Sequence, residues 1–163
     1  MRNQSILIRR KGTAMLHEVL TESMLLPRLV ADSPAQIIDR LLDRLCETGN
    51  VKDRDRALHD ILDNEARMST GMQHGIAIPH AKSEAVESLL AAVATTAHPL
   101  ALPDGTQAEI FILILSPREG AGPHVRFLAE IGRLLRNRSI RRALLEAATP
   151  ADMRAILAPP GGA

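Results

Sequence analysis

Apolar residues recur first with a helical period, then in short extended runs, then with a helical period again. Behind Ser33-Pro34-Ala35-Gln36, the residues Ile37, Ile38, Leu41, Leu42 and Leu45 fall on one helical face. Ser33 and Gln36 read as a capping box, and Pro34 suits the first helical position. Gly49 ends that helix. Asp53 is placed to cap a second one, with Ala57, Leu58, Ile61 and Leu62 as its stripe. The period breaks at Ser69-Thr70-Gly71. The segment Gly75-Ile76-Ala77-Ile78-Pro79-His80 predicts a strand that stops at Pro79, because proline cannot supply a ladder donor. Leu90 to Thr96 and Glu109 to Leu115 predict two more strands, with turn chemistry at Pro103-Asp104-Gly105 between them. The run Ile110 to Leu115 is uniformly apolar and suits a strand covered on both faces. After Pro123 the helical period returns in His124, Val125, Phe127, Leu128, Ile131, Leu134 and Leu135. Further helices are expected from about Ser139 and from Thr149-Pro150. The expected fold is a three-layer α/β sandwich, a mixed sheet flanked by helices on both faces.

Composition narrows the possible functions. The 163 residues suffice for one domain with a full core, expected over residues 15–158. Residues 1–14 are expected to be a basic extension and residues 159–163 a disordered tail. Arg2, Arg9, Arg10 and Lys11 surround Ile6-Leu7-Ile8, a run too short for a signal-peptide core. It reads as a frayed tail or an added first strand. No window approaches a membrane-spanning length, so no membrane insertion and a cytoplasmic location are expected. A single cysteine, Cys46, excludes an internal disulfide and a zinc site of several thiolates. Twenty basic and nineteen acidic residues leave a charge of +1, without the signature of a dedicated nucleic-acid binder. With no Trp or Tyr, and only Phe111 and Phe127, base stacking has no platform.

Polar groups must therefore perform the chemistry, and the six histidines are the candidates. His80 stands at the C-terminal end of a buried strand, a usual place for α/β sites, with Pro79 to fix it. A histidine near neutral pH is a good nucleophile because much of it is uncharged. On context alone it is equally a capping or core histidine. His124 opens a helix, where the dipole favours anions and neutral imidazole; it is either a core histidine or a partner to His80. His74 lies at poor spacing for a shared metal, and His17, His59 and His98 suit the surface. No nucleotide loop and no G-x-S-x-G elbow appear. Neither a metal nor a cofactor is expected. Arg118, Arg126, Arg133, Arg136, Arg138, Arg141 and Arg142 make the C-terminal part basic, while Ile38 to Glu65 is rich in acids. Such an arginine run is a solvated face or a docking surface for an acidic partner.

The string Ser69-Thr70-Gly71-Met72-Gln73-His74-Gly75-Ile76-Ala77-Ile78-Pro79-His80-Ala81-Lys82 resembles the fructose/mannitol-type IIA domain of the bacterial phosphoenolpyruvate-dependent phosphotransferase system. The resemblance runs from about Met15 to Leu157 and includes His124-Val125-Arg126-Phe127-Leu128-Ala129. It implies that His80 accepts a phosphoryl group from an HPr-type carrier, through Nε2 as in the family. His124 lies beside the acceptor and helps hold the group. The sugar branch passes the group to a IIB domain; the nitrogen-regulatory, PtsN-like branch acts on regulatory targets. The chain departs from the family at Asn64, where an arginine is usual, and Arg67 one turn on is expected to substitute in part. Asn64 and Arg67 are thus the phosphate-binding candidates. His74 stands for the usual asparagine and Ala81 for the usual glycine. Met68, Met72 and Ile78 suit either a partner-facing rim or the core. The nitrogen-regulatory carrier is the expected function, the alternatives being a sugar-uptake IIA subunit and a binding module with weakened transfer chemistry.

Overall fold

The computed structural model describes residues 14–158. The expected N-terminal extension, apart from Ala14, and the expected C-terminal tail lie outside the described residues. Helix α1 (Ala14–Val19) leads into strand β1 (Leu25–Leu29). Helices α2 (Pro34–Glu47) and α3 (Arg54–Arg67) follow, then three short strands, β2 (Gly71–Met72), β3 (Ile76–Ala77) and β4 (His80–Lys82). The long strands β5 (Leu90–Ala101) and β6 (Gln107–Ser116) precede α4 (Ala121–Leu135), α5 (Arg138–Glu146) and α6 (Pro150–Leu157). The strands form one mixed sheet in the order β1-β5-β6-β3-β2, with β4 also paired to β6. Helices cover both faces, giving an α/β sandwich.

Local chemistry sets the helix starts. Ser33 Oγ accepts from the Gln36 amide, and Pro34 occupies the first turn, where its missing N–H costs nothing. Gln36 Oε1 takes the amide of Asp32 rather than that of Ser33, so the reciprocal half of the expected box is displaced by one residue. Asp53 caps α3 through the Arg56 amide. Of the stripe expected there, Ala57 and Ile61 are buried, Leu58 is half-buried and Leu62 is exposed. Thr149 and Asp152 complete a full capping box on α6.

Four features differ from the sequence expectation. Strand β1 was not anticipated. Pro27 interrupts its pattern, which an edge strand tolerates, and Arg28 adopts φ 51°. There the Arg28 amide turns to Thr95 Oγ1, and the register with β5 shifts. Strand β5 runs on to Ala101, past the predicted end at Thr96. The strand through Ile76 does not stop at Pro79: it breaks over Ile78-Pro79 and resumes at His80. Pro79 gives no donor, but its carbonyl accepts from the Ile114 amide, keeping the chain in register with β6. Helix α4 begins at Ala121, two residues before Pro123, because the first-turn N–H groups have no helical partner to lose. Val125 is 60% exposed rather than inward.

The core is aliphatic, as composition required. Residues Ile110–Leu115 of β6 are buried on both faces, and Phe111 and Phe127 are fully enclosed. This welds β6 into the centre of the sheet, and β6 carries the pieces that hold His80.

Candidate functional site

Strand β4 pairs in parallel with β6, setting His80 opposite Ile114 and Lys82 opposite Ser116. His80 Nδ1 lies 2.7 Å from the carbonyl oxygen of Ile78. A carbonyl can only accept, so Nδ1 carries the proton in this contact and Nε2 keeps its lone pair. The Ile78 amide in turn donates to the Thr70 carbonyl at 3.0 Å. Thr70 Oγ1 donates a short hydrogen bond to Glu65 Oε1 on α3. The Ser69-Thr70-Gly71 break is therefore a brace: it ties α3 to the main chain that fixes the His80 ring. Gly71 belongs to the brace by size, since a Cβ there would lie 2.8 Å from Leu102 Cδ1 and 3.0 Å from Asp104 Oδ2.

His124 comes from the first turn of α4 and is buried. Its ring centroid is 5.6 Å from that of His80, with the planes tilted by 54°. His124 Nδ1 and the buried Ser116 hydroxyl share a short hydrogen bond. Burial holds the His124 pKa below the usual 6.5, and the nearby His80 and Lys82 lower it further. A neutral His124 whose Nδ1 accepts from Ser116 presents Nε2–H as a donor.

His80, His124, Asn64 and Arg67 line one cleft of about 490 Å³, together with Asp60, Asp63, Ala81, Lys82 and Arg118. The four residues singled out in the sequence thus meet in one place. Asn64 is not aimed outward as a phosphate ligand. Its Nδ2 donates to the main-chain oxygen of His80 at 2.7 Å. Arg67 is largely exposed and paired to Asp63 at 3.0 Å. Two further cations went unnoticed in the sequence. Lys82 follows His80 by two residues, the period that returns a strand side chain to the same face. Arg118 was read only as part of an arginine run; it lies 3.5 Å from Glu84. Asp60 is pushed up by burial, but hydrogen bonds from Ser83 and Arg56 outweigh this and hold its carboxyl below the usual 3.8.

The cleft is polar, cationic along one side, and lacks any group of three or more metal-ligating side chains among the described residues. A tetrahedral anion fits its chemistry: a nucleophilic nitrogen, an imidazole N–H, three cations and the N-terminal end of α4. His74 lies elsewhere, exposed on a turn at φ 68°. His17, His59 and His98 are exposed. Among the described residues, no helix is long and apolar enough to cross a membrane.

Known proteins share this arrangement of sequence and fold. The sequence pattern of the family described as "Phosphoenolpyruvate-dependent sugar phosphotransferase system, EIIA 2" matches residues 18–159. The chain is 36% identical over 123 residues to the "PTS system fructose-specific EIIA component" of Haloferax volcanii, covering 74% of this chain and 80% of that protein. It is 27% identical over 147 residues to the "Nitrogen regulatory protein" of Bradyrhizobium diazoefficiens, covering 88% and 94%. The crystal structure of "Nitrogen Regulatory Protein IIA-Ntr from Neisseria meningitidis" matches with a TM-score of 0.75 at 23% identity, covering 88% of this chain and 99% of that one. A pattern that spans nearly the whole described fold places this chain in the EIIA 2 family of the phosphoenolpyruvate-dependent sugar phosphotransferase system.

Proposed function

We propose that this protein is a phosphohistidine carrier, with His80 Nε2 as the acceptor and an HPr-type phosphocarrier as the donor. The observation that supports it most is the bond from His80 Nδ1–H to the Ile78 carbonyl, which leaves Nε2 as the nucleophilic nitrogen. In the step, the Nε2 lone pair forms a new N–P bond while the donor's N–P bond breaks. The donor nitrogen keeps that bond's electron pair, and the His80 ring takes up the positive charge. Nδ1 keeps its proton and its carbonyl partner throughout, so no general base is needed. Phosphoryl transfer asks mainly for positioning and charge stabilisation. Lys82, Arg118 and Arg67 supply cations at the cleft, and His124 Nε2–H supplies a donor to the phosphoryl oxygens. Asn64 acts as a positioning residue.

The recipient separates two readings. Donation to a IIB protein of a fructose-type sugar branch is favoured by the 36% identity to a fructose-specific EIIA component. The nitrogen-regulatory reading is supported by the 94% coverage of the Bradyrhizobium protein, at lower identity. Both place the chain in the cytoplasm, where its donor is made. The test is intact-mass analysis after incubation with phosphoenolpyruvate, enzyme I and an HPr-type carrier. One acid-labile phosphoryl group is expected in the wild type and none in His80→Ala. An unlabelled wild type would refute the carrier reading and leave a binding module. Adding candidate IIB proteins to the labelled chain then distinguishes the two branches.

A further inference from the structure

A second concavity begins at His80 and runs away from the polar cleft along α4. Its nearer part, about 310 Å³, is lined by Met68, Met72, Ile78 and Leu128 with His80 at one end. Its farther part, about 610 Å³, shares Met72, Ile78 and Leu128 and reaches His74, Arg133 and Arg136. Met68 and Met72 are 61% and 50% exposed. Gly132 forms part of the wall in both, and a Cβ there would meet nothing within 4 Å, so the absent side chain keeps the groove open.

The charge around this groove is one-sided. No carboxylate is among its described lining residues. The neighbouring Asp104 is already held by Ser69 and Thr106. Arg133 and Arg136 make no ion pair among the described residues, whereas Arg44, Arg54, Arg56 and Arg67 on α2 and α3 all do. Over α4 and α5, six arginines face only two glutamates, Glu130 and Glu146. Glu130 is itself occupied, accepting from the Leu16 amide.

We propose that this groove docks the phosphoryl-donating carrier, and that the carrier's docking face is apolar at its centre and acidic at its edge. The proposal rests on the carrier reading above and adds the chemistry of the partner. An apolar floor supplies non-directional burial, and exposed methionines adapt to a protein surface. Unpaired arginines at the rim steer and orient an acidic partner. The groove ends on the His80 ring, so a protein seated along it brings its own reacting atom to Nε2. Nucleic acid fits less well, because the floor is aliphatic and has no ring to stack on.

The test uses two phosphoryl donors. One is the phosphorylated HPr-type carrier of the host cell. The other is phosphoramidate, a small donor that needs no docking groove. Gly132→Leu fills the groove while improving helix propensity, so loss of folding is not its expected effect. The double variant Arg133→Glu with Arg136→Glu reverses the rim. Both variants are expected to take label from phosphoramidate within about twofold of wild type. Both are expected to lose about tenfold or more in kcat/KM with the protein donor, chiefly through KM, and charge reversal should also flatten the salt dependence. Unchanged rates with the protein donor in both variants would overturn the proposal. Faster transfer in the charge-reversed variant would overturn it too, by assigning a basic partner. So would rim-dependent retention of a single-stranded RNA oligomer with carrier kinetics unchanged. If wild-type His80 takes label from phosphoramidate but not from the carrier, docking fails alone. If it takes label from neither, the carrier reading fails as well.

Discussion

Asn64 holds the main-chain oxygen of His80 at 2.7 Å, from the position where the family usually carries an arginine. The side chain has become a clamp on the strand that presents the acceptor. Asn64→Ala removes one hydrogen bond at a half-buried carbonyl, an expected cost of about 1 kcal/mol in stability. Labelling of His80 by phosphoramidate should slow by roughly fivefold, since about 1 kcal/mol of positioning is lost. Asn64→Arg exchanges the clamp for a charge. It should lower the denaturation midpoint yet quicken labelling; equal or slower labelling would show that the missing guanidinium is not limiting.

Among the cleft cations, Lys82 is expected to matter most. Arg67 is engaged by Asp63, and Arg118 faces Glu84 at 3.5 Å. Lys82 has no ion pair among the described residues and shares a strand face with His80. Lys82→Met should slow transfer by about tenfold, Arg118→Met and Arg67→Met by about threefold or less. Stopped transfer assays on the three variants give the ranking; an Arg67 effect exceeding that of Lys82 would reverse the assignment.

His124 is expected to act as a donor oriented by Ser116. His124→Ala should leave the fold intact and slow phosphorylation by tenfold or more, the scale of a lost donor at developing charge. Ser116→Ala should have a smaller effect in the same direction. Unchanged kinetics in His124→Ala would remove that residue from the reaction.

The lowered pKa of His124 predicts a pH dependence of stability. As pH falls below 6.5, the unfolded chain binds the proton before the folded one does. Stability is therefore lost progressively from 6.5 down to the lowered folded value, and the loss then levels off. His80 and Lys82 press in the same direction as burial. Asp60 contributes separately and lower: its stabilisation is present above 3.8 and disappears only as pH drops through its depressed folded value. Denaturant midpoints across this range should show a shallower decline below 6.5 in His124→Gln than in the wild type. An identical slope would place the titration elsewhere.

The nitrogen that carries phosphate is also predicted. Nitrogen-15 spectra of the labelled protein should show phosphate on Nε2 and a proton on Nδ1 of His80. A phosphoryl group on Nδ1 would require loss of the Ile78 contact and would contradict the tautomer assignment.

Most of this fold was readable because its signals are local. Caps at Ser33, Asp53 and Thr149, and the apolar run Ile110–Leu115, depend on residues a few positions apart. Strand β1 was not readable, because Pro27 and the left-handed Arg28 obscure it and its pairing to β5 comes from sixty-odd residues away. His80 and His124 were found by context and resemblance. Lys82 was available from its two-residue spacing alone. Ser116 and the true role of Asn64 were not, since a hydroxyl ending a strand and an amide on a helix acquire meaning only when tertiary packing brings partners to them.

The broken strand at Pro79 has one more consequence. His80 is flanked by ladder contacts to β6 on both sides of the break, the Pro79 carbonyl before it and the β4 pairing at and after it. A residue so anchored has little room to relay a chemical change by moving its backbone. Phosphorylation adds a charge of about −1.5 to −2 in the cleft. Amide chemical-shift changes on labelling are thus expected around the cleft and the start of α4, without a wave through the sheet; broad shifts in β1 and β5 would speak for a conformational signal instead. Charged and uncharged forms of this protein then share one shape, and whatever distinguishes them does so by sensing an electric field.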